Sequence, residues 1–226
     1  MSETPSAPTK LWDLPTRITH WSLAVLIVTA WLSGGQQMQI HVLAGYGVIS
    51  LLVFRLYWGF FGSQTARFSQ FVKGPGTTVR YLKTMGKRTA ADLVGHSPVG
   101  AVSVVLLLLV MIVQAGLGLF ATDIDGIESG PLSYLVDFDT GRLASEWHEL
   151  SFRVLQGLVV LHLAAIAFYA VWKRQILITA MITGKRRFIG QAPTLKFAPV
   201  WRFVLGVLIA VAAAWLIARG LKLPKL

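Results

Sequence analysis

The chain contains no cysteine. That excludes disulfides, iron–sulfur clusters, thiolate metal sites and the thioether attachment of c-type haem. Charge is also scarce: 14% of the 226 residues are Asp, Glu, Lys or Arg, against about 25% in soluble domains. Acids are scarcest, ten against 21 Lys and Arg. The apolar residues lack the period-two alternation of a membrane barrel strand. The opening Met-Ser-Glu-Thr-Pro has no basic segment running directly into an apolar stretch with a small-residue cleavage site, so no cleaved signal peptide is expected. Internal repeats, low-complexity stretches and a separate soluble domain are likewise missing.

What fills the chain is apolar: 54% hydrophobic residues and a mean hydropathy of +0.62. They fall in five blocks, 18–36, 39–61, 99–121, 144–172 and 199–220. Each has about 20 residues or more, enough for a spanning helix. The expected fold class is all-α, an integral membrane helical bundle. The net charge of +11 does not point to nucleic acid, because the bases gather in two loops, as the positive-inside rule requires. The 62–97 loop carries Arg67, Lys73, Arg80, Lys83, Lys87 and Arg88, and the 173–198 loop Lys173, Arg174, Lys185, Arg186, Arg187 and Lys196. Gly74-Pro75-Gly76 breaks the first of these, and a short amphipathic interfacial helix is expected around 77–86. The 122–143 loop is acidic, with Asp123, Asp125, Glu128, Asp137 and Asp139 against Arg142 alone. The N-terminus and both basic loops are therefore expected in the cytoplasm and the acidic loop outside. Five spans put the C-terminus outside, where Arg219, Lys222 and Lys225 run against the rule.

Four histidines stand in or at the edge of these blocks: His20, His41, His148 and His162. Such side chains are rare inside a bilayer and usually functional. His148 and His162 are fourteen residues apart. At about 100° per residue this comes within about 40° of four full turns, so both face one way, about 21 Å apart along the axis. With the expected orientation, His20 shares the inner level with His162, and His41 the outer level with His148. Two histidines at each of two depths is what two bis-imidazole haems require. Any one alone reads equally as a packing or interfacial residue. Metal transport would want carboxylates within the spans, and here the acids lie almost wholly in loops.

Arg55 is fourteen residues after His41 and on the same stripe. Two roles are open to it: pairing with a haem propionate, or snorkelling to the cytoplasmic surface. Arg17, one turn before His20, is a weaker candidate of the first kind. Arg153 could serve the outer haem or the acidic loop. Gly45, Gly47, Gly116 and Gly118 suit either close approach of a flat macrocycle or helix packing. His96, in Gly95-His96-Ser97-Pro98, has no partner at its level. It reads as an interfacial cap, with a place near a quinone head group as the other option.

Trp12-Asp13-Leu14-Pro15-Thr16-Arg17 with Thr19-His20-Trp21, the His41…Arg55 spacing, and Glu146-Trp147-His148-Glu149 with Leu161-His162 resemble the bacterial di-haem cytochrome b561 family. That family group includes the b-type cytochrome subunits of nickel–iron hydrogenases and of formate dehydrogenase. The likeness covers about residues 10–185. It implies a four-helix di-haem core with two haem b groups, one bound by His20 and His162, the other by His41 and His148. The fifth, C-terminal transmembrane helix departs from the smallest members. The division expected is 1–185 for the di-haem domain and 186–226 for a cytoplasmic connector and last helix.

The function expected is electron transfer across the bacterial inner membrane, between the quinone pool and a periplasmic c-type cytochrome or other redox protein, with quinone oxidoreductase activity as a further option. Alternatives are a membrane anchor of a hydrogenase-like enzyme and a superoxide:quinone oxidoreductase; the acidic loop disfavours the latter by repelling the anion. Expected partners are membrane lipid, a quinone, the redox protein and a second copy of the chain in a homo-oligomer, with no nucleic acid.

Overall fold

The computed structural model describes residues 7–88, 93–188 and 191–221. The opening Met-Ser-Glu-Thr-Pro, together with Lys222 and Lys225, lies outside the described residues. In chain order the elements are β1 (Thr9–Lys10), α1 (Leu14–Ser33), α2 (Met38–Phe61), α3 (Phe68–Phe71), α4 (Pro75–Thr84), α5 (Pro98–Phe120), α6 (Phe138–Val171), α7 (Leu177–Thr183), β2 (Lys185–Arg186) and α8 (Val200–Ala218). The protein is thus mostly helical, as expected. Among the described residues, α2, α5, α6 and α8 are long and apolar enough to cross a membrane. α1 has 20 residues, but Arg17 and His20 in its first half hold it below the same measure. The surface of the long helices is itself apolar: Val25, Leu109, Leu161 and Leu208 are all more than half exposed. Water would not tolerate such a surface over several helices, whereas lipid does.

Several boundaries differ from those read off hydropathy, and capping explains them. α1 starts at Leu14 because Asp13 is its N-cap, accepting Thr16 N–H at 2.8 Å. α6 gains a turn and a half before the apolar block. There Asp137 accepts Thr140 N–H at 2.9 Å and Thr140 Oγ1–H at 2.8 Å. Those two bonds also hold the Asp137 carboxyl below the ordinary carboxylate range. Gly74-Pro75-Gly76 starts α4 instead of only interrupting a loop, with Pro75 at its first position.

Contacts gather the chain into two compact units. One holds the stretches up to Ile18, Tyr57–Leu106 and Leu158–Phe203; the other holds Thr19–Leu56, Leu107–Gly157 and the chain from Val204 on. Each long helix contributes residues to both.

In the first unit, β1 runs antiparallel to β2, pairing Thr9 with Arg186 and Lys10 with Lys185. The bend after α7 makes this pairing available. Gly184 takes φ 76°, a conformation glycine adopts without penalty, and its carbonyl accepts from Leu11 N at 2.8 Å and Trp12 N at 3.1 Å. Asp13 is buried and its second oxygen accepts the Trp58 indole N–H at 2.9 Å. Thr65 Oγ1 donates to Leu11 O at 2.9 Å. Tyr81 and Tyr169 share a 2.7 Å hydroxyl contact, and burial together with that contact raises the Tyr81 phenol above its usual range.

In the second unit, α1 and α2 meet closely at Gly47, where a Cβ would stand 2.7 Å from Leu26 Cδ1. Gly47 is therefore a packing residue. After α5 the chain turns back on itself, with Thr122 bridged to Ser129. Ser145 and Arg142 of α6 hold this turn through the Thr122 carbonyl, at 2.7 and 3.1 Å. Tyr134 donates to Gly220 O at 2.6 Å, joining the end of α8 to the loop before α6.

Candidate functional site

The second unit encloses a cavity of about 750 Å³, with His41, Gln114 and His148 on its walls and Asp123, Glu128 and Arg142 among its polar lining. His41 stands in the first turn of α2, and His148 nearly three turns inside α6. Their ring centres are 6.0 Å apart, with the planes at 76°.

Both imidazoles are oriented the same way. His41 donates Nδ1–H to the Ala30 carbonyl at 2.8 Å, and His148 donates Nδ1–H to the Gln114 carbonyl at 2.9 Å. A carbonyl only accepts, so in each ring the proton is on Nδ1 and the lone pair on Nε2. That is the usual arrangement of a metal-binding histidine, whose other nitrogen donates to a carbonyl or carboxylate. A metal–imidazole bond of about 2 Å on each side, plus about 1 Å from nitrogen to ring centre, gives about 6 Å between centres. The observed separation of ring centres equals that sum.

The walls suit a flat group. A Cβ on Gly45 would meet nothing within 4 Å, and Gly45 lines the cavity. Gly118 serves the ligand directly: a Cβ there would lie 2.8 Å from His148 Cε1. Gly116 does not line the cavity. Gln114 gives no signal in the sequence beyond being a polar residue in an apolar helix. Besides its carbonyl, its side-chain amide lies 3.1 Å from His148 Nε2, and its oxygen accepts from Ser151.

The prokaryotic cytochrome b561 family matches this chain over residues 11–184. The chain belongs to that family. It is accordingly a multi-pass bacterial membrane protein that binds haem b and transfers electrons. Curated relatives include the probable Ni/Fe-hydrogenase 1 B-type cytochrome subunit of Escherichia coli K12, 25% identical over 78% of this chain and 89% of that protein. The probable Ni/Fe-hydrogenase B-type cytochrome subunits of Rhizobium leguminosarum bv. viciae and Azotobacter chroococcum are each 25% identical. They cover 79% and 81% of this chain, and 88% and 90% of their own lengths. No solved structure matches.

The other expected residues of this cytochrome b561 fall in several places. His20 and His162 are half-buried, on α1 and α6; His20 stands edge-on to Trp21 at 5.0 Å. Arg55 is 7% exposed, which disfavours the snorkelling role. Arg17 serves α7: its guanidinium donates to Met181 O at 3.2 Å and to Ile182 O, carbonyls left over at that helix end. Arg153 pairs with Glu149 at 2.5 Å, both side chains 69% exposed. Arg142, absent from the expected set, lines the cavity instead. His96 lies between Trp12 and Phe71, with ring centres at 4.7 and 4.5 Å, which favours the packing role.

The closeness of Gly118 yields a prediction. Gly118→Val is expected to displace His148 and remove one haem per chain, while Gly116→Val leaves the content unchanged. Haem-to-protein ratios of the purified variants check this; full haem content in Gly118→Val would contradict it.

Proposed function

We propose that the chain binds two haem b groups and carries electrons across the bacterial inner membrane, between quinone and a redox protein on the outer side. The single observation carrying this reading is the His41–His148 pair, with both rings donating through Nδ1–H to backbone carbonyls and ring centres 6.0 Å apart. The second haem is assigned to His20 and His162. Support comes from α6, a continuous helix through His148 and His162, which sets the two about 21 Å apart on one stripe. Each haem supplies a one-electron ferric/ferrous couple. The chain's part is to fix the ligands, set their tautomers and keep water from the iron.

Arg55, buried and fourteen residues after His41 on the same stripe, is assigned to a propionate of the inner haem, which suits a guanidinium's bidentate geometry. Arg17, which donates to carbonyls of α7, and Arg153, which pairs with Glu149, are retained as secondary candidates. Five crossings, with the N-terminus in the cytoplasm, are supported by the Lys/Arg bias of the loops.

The hydrogenase reading remains the second one, favoured by the names of the relatives and the long shared coverage. In it, the outer partner is a hydrogenase and the chain is its membrane subunit. Superoxide oxidation is disfavoured by the exposed carboxylates of the outer loop.

The test is the purified protein in nanodiscs. Two b haems per chain and their reduction by a quinol are expected. One haem or none would overturn the di-haem assignment, and haems indifferent to quinol would remove the quinone link. Co-purification of a second polypeptide with hydrogen-dependent haem reduction would select the hydrogenase reading.

A further inference from the structure

The turn between α5 and α6 carries an apolar surface that lipid does not account for on the topology above. Thr122 pairs with Ser129, and Asp123 N–H donates to Glu128 O at 3.1 Å. This tight hairpin lifts Ile124 and Ile127 outward, 75% and 81% exposed. Its tip touches α6, since a Cβ on Gly126 would meet Phe138 Cε2 at 3.7 Å. Phe138 is itself 53% exposed, beside that tip. Asp125, Glu128, Asp137 and Asp139, all exposed, are sequence neighbours of Ile124, Ile127 and Phe138. The base of the hairpin, Thr122, Asp123, Glu128 and Ser129, belongs to the lining of the His41–His148 cavity.

Exposed isoleucines in water signify a contact surface more often than chance. The carboxylates beside them in the sequence say which kind. Anionic lipid head groups would be repelled, whereas a protein with cations around an apolar centre is both steered in and met by a dry contact. We propose that the Ile124–Ile127–Phe138 patch is the docking point of the outer electron-transfer partner, a redox protein whose contact face is apolar at its centre and ringed by lysine or arginine. The inference rests on the outer-haem reading and deepens it. One electron leaves the outer haem and reduces the partner's own one-electron centre; no bond is made or broken. The small size of the patch suits the brief encounters of electron carriers, whose interfaces bury under about 1,200 Å².

The test uses the full-length haem-loaded protein in nanodiscs, reduced and mixed with a cationic c-type cytochrome as probe. A small neutral quinone serves as control oxidant. Ile124→Ser/Ile127→Ser is expected to lower the second-order rate with the cytochrome about tenfold, the loss usual for truncated contact anchors. The rate with the neutral quinone should stay the same. Wild-type reaction with the cytochrome should slow as salt rises, and Asp125→Lys/Glu128→Lys should abolish or invert that dependence. An unchanged cytochrome rate in the isoleucine variant, or an equal loss with both oxidants, overturns the docking surface. A wild-type protein without haem at the His41–His148 site instead overturns the reading beneath it.

Discussion

The double variant His41→Ala/His148→Ala is expected to retain one haem b per chain, no fewer than either single variant. The two rings share one site, 6.0 Å apart, so the second deletion removes a ligand from a site already lost. Residues acting as a unit behave in this non-additive way. His148→Ala/His162→Ala is the counterpart. It deletes two residues of one helix that serve different sites, and both haems should disappear. The total number of histidines removed is the same in the two proteins, yet the haem-to-protein ratios differ by one whole haem. Equal ratios would reject the pairing of His41 with His148 and of His20 with His162.

Asp13→Ala is expected to destabilise the protein by about 2–4 kcal/mol without removing a haem ligand. One part is the N-cap of α1, about 1 kcal/mol. The other is the loss of the buried 2.9 Å bond from the Trp58 indole N–H to the Asp13 carboxylate, at about 1–3 kcal/mol. Trp58 is 2% exposed, so water does not replace the carboxylate. Against a total of about 5–15 kcal/mol this is a large fraction. Asp13→Asn should fall between, since its single oxygen can serve only one of the two donors. Thermal loss of the haem absorption in detergent measures the order, wild type above Asn above Ala. A melting temperature unchanged in Asp13→Ala would show that the cap and the indole bond are replaceable.

The sequence made the long helices visible because lipid-facing helices announce themselves by composition. It also brought four histidines forward as candidate ligands, because a helix repeats its direction after fourteen residues and few residue types bind haem iron; two of them, His41 and His148, line one cavity. It was silent where one side chain answers to several neighbours. The motif Trp-Asp-x-Pro-x-Arg marks the family, yet its work here is local. Asp13 caps α1 and accepts from Trp58, and Arg17 closes the end of α7. Proximity to His20 in sequence suggested a propionate for Arg17. The carbonyls of α7, 164 residues further on, could not have been read from spacing. Gln114 was hidden for the same reason, since its role at His148 is carried largely by a backbone carbonyl. The short elements α3, α7, β1 and β2 were missed because each is held by tertiary bonds and not by a periodic pattern.

The ladder between β1 and β2 has a consequence for biosynthesis. Thr9 and Lys10 are made before Lys185 and Arg186, which emerge only after α1, α2, α5 and α6 have all been synthesised. Gly184 and the α7 carbonyls that receive Leu11, Trp12 and Arg17 arrive equally late. Domains generally fold as synthesis proceeds, from the N-terminal side, so β1 must wait unpaired until β2 has been made. Closing that ladder is then a late step of maturation, and a ribosome stalled before residue 184 would hold a chain with α1, α2, α5 and α6 made and β1 still unmatched.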